Sequence, residues 1–83
     1  MNLYPFASLS KSTREAVWPV IVGQGGFIPR FCYNLPSTFT HTRQTQAYEW
    51  SKANNVNMFL SVVLQVVIFD NEDDAAIFKL TWM

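Results

Sequence analysis

The chain of 83 residues is long enough for one domain and too short for two. Its six basic and six acidic side chains cancel, and only 14% of residues are charged, which speaks against binding that works by neutralising phosphates. A single cysteine, Cys32, and a single histidine, His41, exclude an internal disulfide and a cysteine-based zinc site.

Hydrophobic residues make up 49% of the chain and aromatic residues 16%. A domain of this size buries only about 60–65% of its unfolded surface, so part of this apolar material is expected at an interface. The charges divide by position: residues 1–52 carry a net +3 and residues 53–83 a net −3. The two halves either balance on folding or leave a dipolar surface that could dock a partner. Residues 1–10 show no basic leader followed by a long apolar run, and the longest apolar stretch, Met58 to Phe69, falls short of the ~20 residues a membrane span needs. The expectation is a cytoplasmic protein in a reducing compartment, with no membrane partner.

In chain order, residues 1–10 read as an irregular arm ahead of a single α+β domain over 11–83. Pro5, Ser8 and Ser10 favour extended or turn structure, and Tyr4, Phe6 and Leu9 would anchor the arm where it docks. Ser12-Thr13-Arg14-Glu15 has the form of a capping box, and the short helix it opens should stop near Trp18, ahead of Pro19. Val20-Ile21-Val22 is β-branched and reads as a short strand, followed by a flexible turn at Gly23-Gln24-Gly25-Gly26. Phe27 to Tyr33 reads as a returning second strand, at an edge or bulged, because Pro29 has no N–H to give a ladder.

A loop at Asn34-Leu35-Pro36-Ser37 precedes a helix expected over about 42–54, where Ala47, Trp50 and Ala53 share a stripe. Residues from about 57 to 69 alternate with a period of two and read as one long central strand, with a bend or a protruding end. Val62, Leu64 and Val66 are expected among its least exposed residues. Asp70-Asn71 ends the strand and caps a helix expected over about 72–80, whose first turn holds Glu72, Asp73 and Asp74 at the positive end of the helix dipole. Thr81-Trp82-Met83 would finish as a short strand. The fold class is thus α+β: a small antiparallel or mixed sheet, one long central strand, and two packed helices.

No motif carries chemistry. The acidic cluster fails the calcium-loop pattern, with Ala75 where glycine belongs and Thr81 where the terminal glutamate belongs. Gly23-Gln24-Gly25-Gly26 starts like a dinucleotide fingerprint but has Ile28 at the third glycine position and no phosphate-binding lysine. Cys32 and His41 could form a nucleophile and base only if the fold joined them; a packed cysteine is the plainer reading. No catalytic residue, cofactor or metal ligand is expected. Phe27, Arg30, Phe31 and Tyr33 interleave aromatic and basic character in a way that could stack bases, although packing accounts for them more simply.

The run Phe69-Asp70-Asn71-Glu72-Asp73-Asp74-Ala75-Ala76-Ile77-Phe78-Lys79-Leu80-Thr81-Trp82 is similar to the endings of small uncharacterised proteins of tailed bacteriophages. Those endings tend to show a strand, an acidic helix cap, an Ala-rich turn and a Phe-x-Leu-x-Trp finish. The resemblance covers only these residues and carries over no catalytic group. It implies a phage origin rather than an activity, and small phage proteins often act by binding, either to host machinery in the host cytoplasm or within the particle.

The resulting expectation is a non-enzymatic protein–protein interaction module, such as a phage accessory protein that modulates a host factor. The alternative is a structural subunit of a larger assembly such as a virion, anchored by its N-terminal arm. The expected partner is a protein, either a host protein or a second copy in a homo-oligomer, and not nucleic acid. The residues expected to carry the interaction are Tyr4, Phe6, Trp18, Phe27, Phe31, Tyr33 and Trp82.

Overall fold

Four short runs of apolar residues pair edge to edge, and helices cover both faces of the sheet they form. The computed structural model describes residues 3–83. The strands are β1 (Tyr4–Pro5), β2 (Phe31–Asn34), β3 (Met58–Ser61) and β4 (Val66–Phe69); the helices are α1 (Lys11–Val20), α2 (His41–Ala53) and α3 (Glu72–Trp82). The sheet is antiparallel throughout, in the order β1-β2-β4-β3. The chain is therefore an α+β protein.

β4 is central, and all four of its residues are buried. Val66 and Ile68 point into a core shared with Phe6, Val17, Ile21, Phe27 and Cys32, on the side covered by α1. Val67 and Phe69 point into the opposite core with Tyr33, Leu60, Ala47 and Phe78, on the side covered by α2 and α3. A strand covered on both faces reads as a continuous apolar run, which is what Val-Val-Ile-Phe shows.

The single long strand expected over 57–69 is instead a hairpin of β3 and β4. A straight strand of that length would span about 40 Å, whereas the molecule measures 28 × 26 × 21 Å. Val62–Gln65 form the turn: the Val62 carbonyl accepts the Gln65 N–H at 3.2 Å, the Ser61 hydroxyl accepts the Leu64 N–H at 3.2 Å, and Gln65 adopts a left-handed φ of 54°. No Gly, Pro, Asn or Asp marks this turn. Ser61 pairs with Val66, so the core-facing set moves from even positions in β3 to odd positions in β4. Leu64, expected at the centre of the core, is 43% exposed in the turn, and Val62 is half-buried.

Helix α1 also departs from expectation. Its N-cap is Ser10, whose hydroxyl accepts the Thr13 N–H at 3.4 Å; Glu15 pairs with Lys11 at 3.8 Å rather than closing a capping box. The helix runs through Pro19 to Val20 and ends in a π turn over Ile21–Gly25, closed by a left-handed Gly26 at φ 71°. Val17 and Ile21, one turn apart, are both almost fully buried, so docking of this face outweighs the backbone cost of Pro19 and the β-branched preference of Val20-Ile21-Val22. Pro29 precedes β2 rather than lying within it. The final helix keeps residues 81 and 82, because Trp82 packs against Trp50 and Phe39.

The segment expected as an irregular arm is docked in its described part. Tyr4 and Pro5 pair with Cys32 and Phe31, the Phe6 N–H donates to the Arg30 carbonyl at 2.8 Å, and Phe6 is buried. Residues 1 and 2 of that segment lie outside the described residues. At the other edge of the sheet, α2 occupies the free main-chain groups of β3. The Tyr48 hydroxyl donates to the Leu60 carbonyl at 3.0 Å and accepts the Leu60 N–H at 2.6 Å, while Gln44 Oε1 accepts the Val62 N–H at 2.9 Å. These bonds cover the edge at Leu60 and Val62.

Candidate functional site

Where the docked N-terminal segment passes α1, it leaves an open groove of about 740 Å³. Three prolines shape it: Pro5 from β1, Pro19 from α1 and Pro29 from the approach to β2. Prolines suit a binding wall because their backbone is already restricted and little entropy is lost when a ligand settles there. Phe6 and Trp18 supply the aromatic surface, with ring centroids 5.9 Å apart and tilted at 46°. Trp18 remains 44% exposed, whereas Phe6 is buried in the core.

Arg14, Glu15 and Arg30 complete the lining. Glu15 is paired with Lys11 and Arg30 with Asp70 at 3.3 Å. Arg14 is half-buried; its Nε donates to the Leu9 carbonyl at 3.0 Å, and it has no carboxylate partner among the described residues. The groove therefore combines an apolar floor with one positioned, uncompensated positive charge. It can bury an apolar side chain and accept an anionic group beside it.

The seven residues expected to carry an interaction do not form one surface. Phe6 and Trp18 meet in the groove. Tyr4, two residues before Phe6 and outside the groove lining, is 37% exposed, with its hydroxyl accepting from Asn34 Nδ2 at 3.4 Å. Phe27 is buried in the α1-side core and Tyr33 in the opposite core, so neither is available as surface. Phe31 is half-buried in β2. Trp82 is half-buried among aromatic rings, with the Arg43 guanidinium 5.4 Å from its ring centroid and Arg43 Nη2 donating to its carbonyl at 3.1 Å. The groove residues outside the expected set are the three prolines, Ala7, Arg14, Glu15 and Arg30. Arg14 and Trp18 stand four apart on a capped helix, a spacing that places them on one face.

The other sequence features resolve structurally. Asp74 accepts the Asn57 N–H and the Asn71 side chain, both at 3.2 Å, and Asn71 caps α3 by accepting the Asp74 N–H at 2.8 Å. Among the described residues no group of three or more His, Cys, Asp or Glu side chains is placed to hold a metal ion. Cys32 is fully buried, and burial pushes its thiol up to about 11. His41 is exposed at the start of α2. Cys32 donates to the Pro5 carbonyl at 3.9 Å rather than to an imidazole. No helix among the described residues is long and apolar enough to cross a membrane. No family model, curated protein or solved structure matches the chain.

Proposed function

We propose that the chain is a non-enzymatic protein-docking module and that the groove between α1 and the N-terminal segment receives its partner. The observation that carries this reading is Trp18, a large aromatic left 44% exposed over an apolar groove next to the uncompensated Arg14. Trp and Arg are among the residues that most often dominate binding energy. The sparse charge of the chain supports association rather than repulsion. A cytoplasmic setting is consistent with the lone buried Cys32, and a phage accessory role rests only on the C-terminal resemblance.

A structural subunit is the second reading. The exposed apolar residues Ile77 and Leu80 on the outer face of α3 favour it. Anchoring by residues 1–10 does not, since the described part of that segment is engaged within its own fold.

Selection from a random peptide library on immobilised chain tests the docking reading. Peptides with an apolar residue near a carboxylate should be enriched, and should be lost on Arg14→Glu and on Trp18→Ser. No enrichment, or enrichment indifferent to both substitutions, would contradict it.

A further inference from the structure

We propose that the occupant of the groove is the α3 face of a second copy of this chain, so that copies associate head to tail. The inference rests on the docking reading above and names its partner. The outward stripe of α3 carries Asp73, Ile77 and Leu80, spaced four and three residues apart on one side of the helix. Leu80 is 88% exposed and Ile77 45%. Asp74 is engaged by Asn57 and Asn71, whereas Asp73 is exposed and without an ion-pair partner among the described residues.

The two surfaces match in charge and in spacing. Arg14 precedes Trp18 by four residues on α1, and Asp73 precedes Ile77 by four on α3. Each charge thus lies about 6 Å along its helix from its apolar neighbour. Two helices running in the same direction set Arg14 against Asp73 and Trp18 against Ile77, with Leu80 carried toward the Pro19 end of the groove. The pairing cannot close within one chain, because α1 and α3 cover opposite faces of the sheet. Nor is it self-complementary: each copy that uses its groove keeps its stripe free, and the contact propagates into a ring or a filament.

Sedimentation velocity over a concentration series of the full chain tests this. Wild type should associate beyond a dimer as concentration rises. Leu80→Ser combined with Asp73→Lys removes the stripe, and Trp18→Ser combined with Arg14→Glu removes the groove; each variant alone should associate at least about tenfold more weakly. A 1:1 mixture of the two should form dimers and nothing larger, because it contains one intact groove for one intact stripe. If the groove variant does not fold, Arg14→Glu alone replaces it, and adding Asp73→Arg to the same chain should restore association. A wild type that stays monomeric, or a mixture that forms no dimer, overturns the head-to-tail pairing. If that monomer still retains library-selected peptides, only the choice of occupant fails; if it retains none, the docking reading fails with it.

Discussion

Single side chains decide which of the suggestive features are chemistry and which are architecture. Cys32 lies between the sheet and α1 with its thiol held well above the ordinary 9.0, at about 11, by burial. Native protein should therefore resist thiol reagents at pH 8 and react at once when unfolded; fast native labelling would show that the α1 layer opens. The same burial makes stability pH-dependent. A thiol that keeps its proton to higher pH in the folded state contributes fully below pH 9.0, and the contribution is lost as pH rises toward 11. Tyr48, raised mainly by burial, and Tyr33, raised by burial and by the charge of Glu72, act in the same direction. Melting temperature should fall through the alkaline range, and a flat profile would contradict the buried placement of all three groups. Tyr48 also satisfies both main-chain groups of Leu60, so Tyr48→Phe should cost about 1–3 kcal/mol in denaturant unfolding.

At the scale of elements, the strength of each local signal explains what was readable. Helix α3 is legible from its Asn71 cap and acidic first turn, and α2 from Ala47 and Trp50, although Ala53 of the expected stripe is exposed, Ser51 is buried in its place, and the Thr40 cap starts the helix at His41. The β3–β4 hairpin was not, because Val62-Val63-Leu64-Gln65 continues the alternation of the strands through the turn itself. Only tertiary size, which no local window contains, forces the reversal. The end of α1 differs from expectation for a related reason: Pro19 and the β-branched run are local signals, and burial of Val17 and Ile21 overrides them. The hairpin makes an asymmetric prediction. Gln65→Gly should stabilise the chain by about 1 kcal/mol, since glycine takes the left-handed conformation without penalty. Leu64→Ala should change stability by less than about 0.5 kcal/mol, whereas Phe69→Ala should cost about 3–5 kcal/mol. The reverse ordering of Leu64 and Phe69 in chemical unfolding would restore the single strand.

For the whole molecule, three layers place two unlike faces back to back: a groove with Trp18 and Arg14 on one side, and an acidic, apolar stripe on the other. Seven exposed or buried aromatics could not be sorted from the sequence, because burial depends on which face of a strand or helix each occupies and β2 sends Tyr33 inward on one side and Cys32 on the other. Of those seven, Phe6 and Trp18 are the two that line the groove. The groove's polar half was missed because Arg14 was read as part of a cap. The central claim is that Trp18 serves binding more than folding. Isothermal titration of a library-selected peptide into wild type and Trp18→Ser, with both confirmed folded by their unfolding transitions, tests it most directly. Loss of at least about tenfold in affinity is predicted, while the variant still unfolds cooperatively, less stable by the ~0.5–1.5 kcal/mol of the Phe6 ring pair and by the burial of the covered part of the indole. Unchanged affinity in a folded Trp18→Ser protein, or a variant that cannot fold because Trp18 is part of the core, would contradict it.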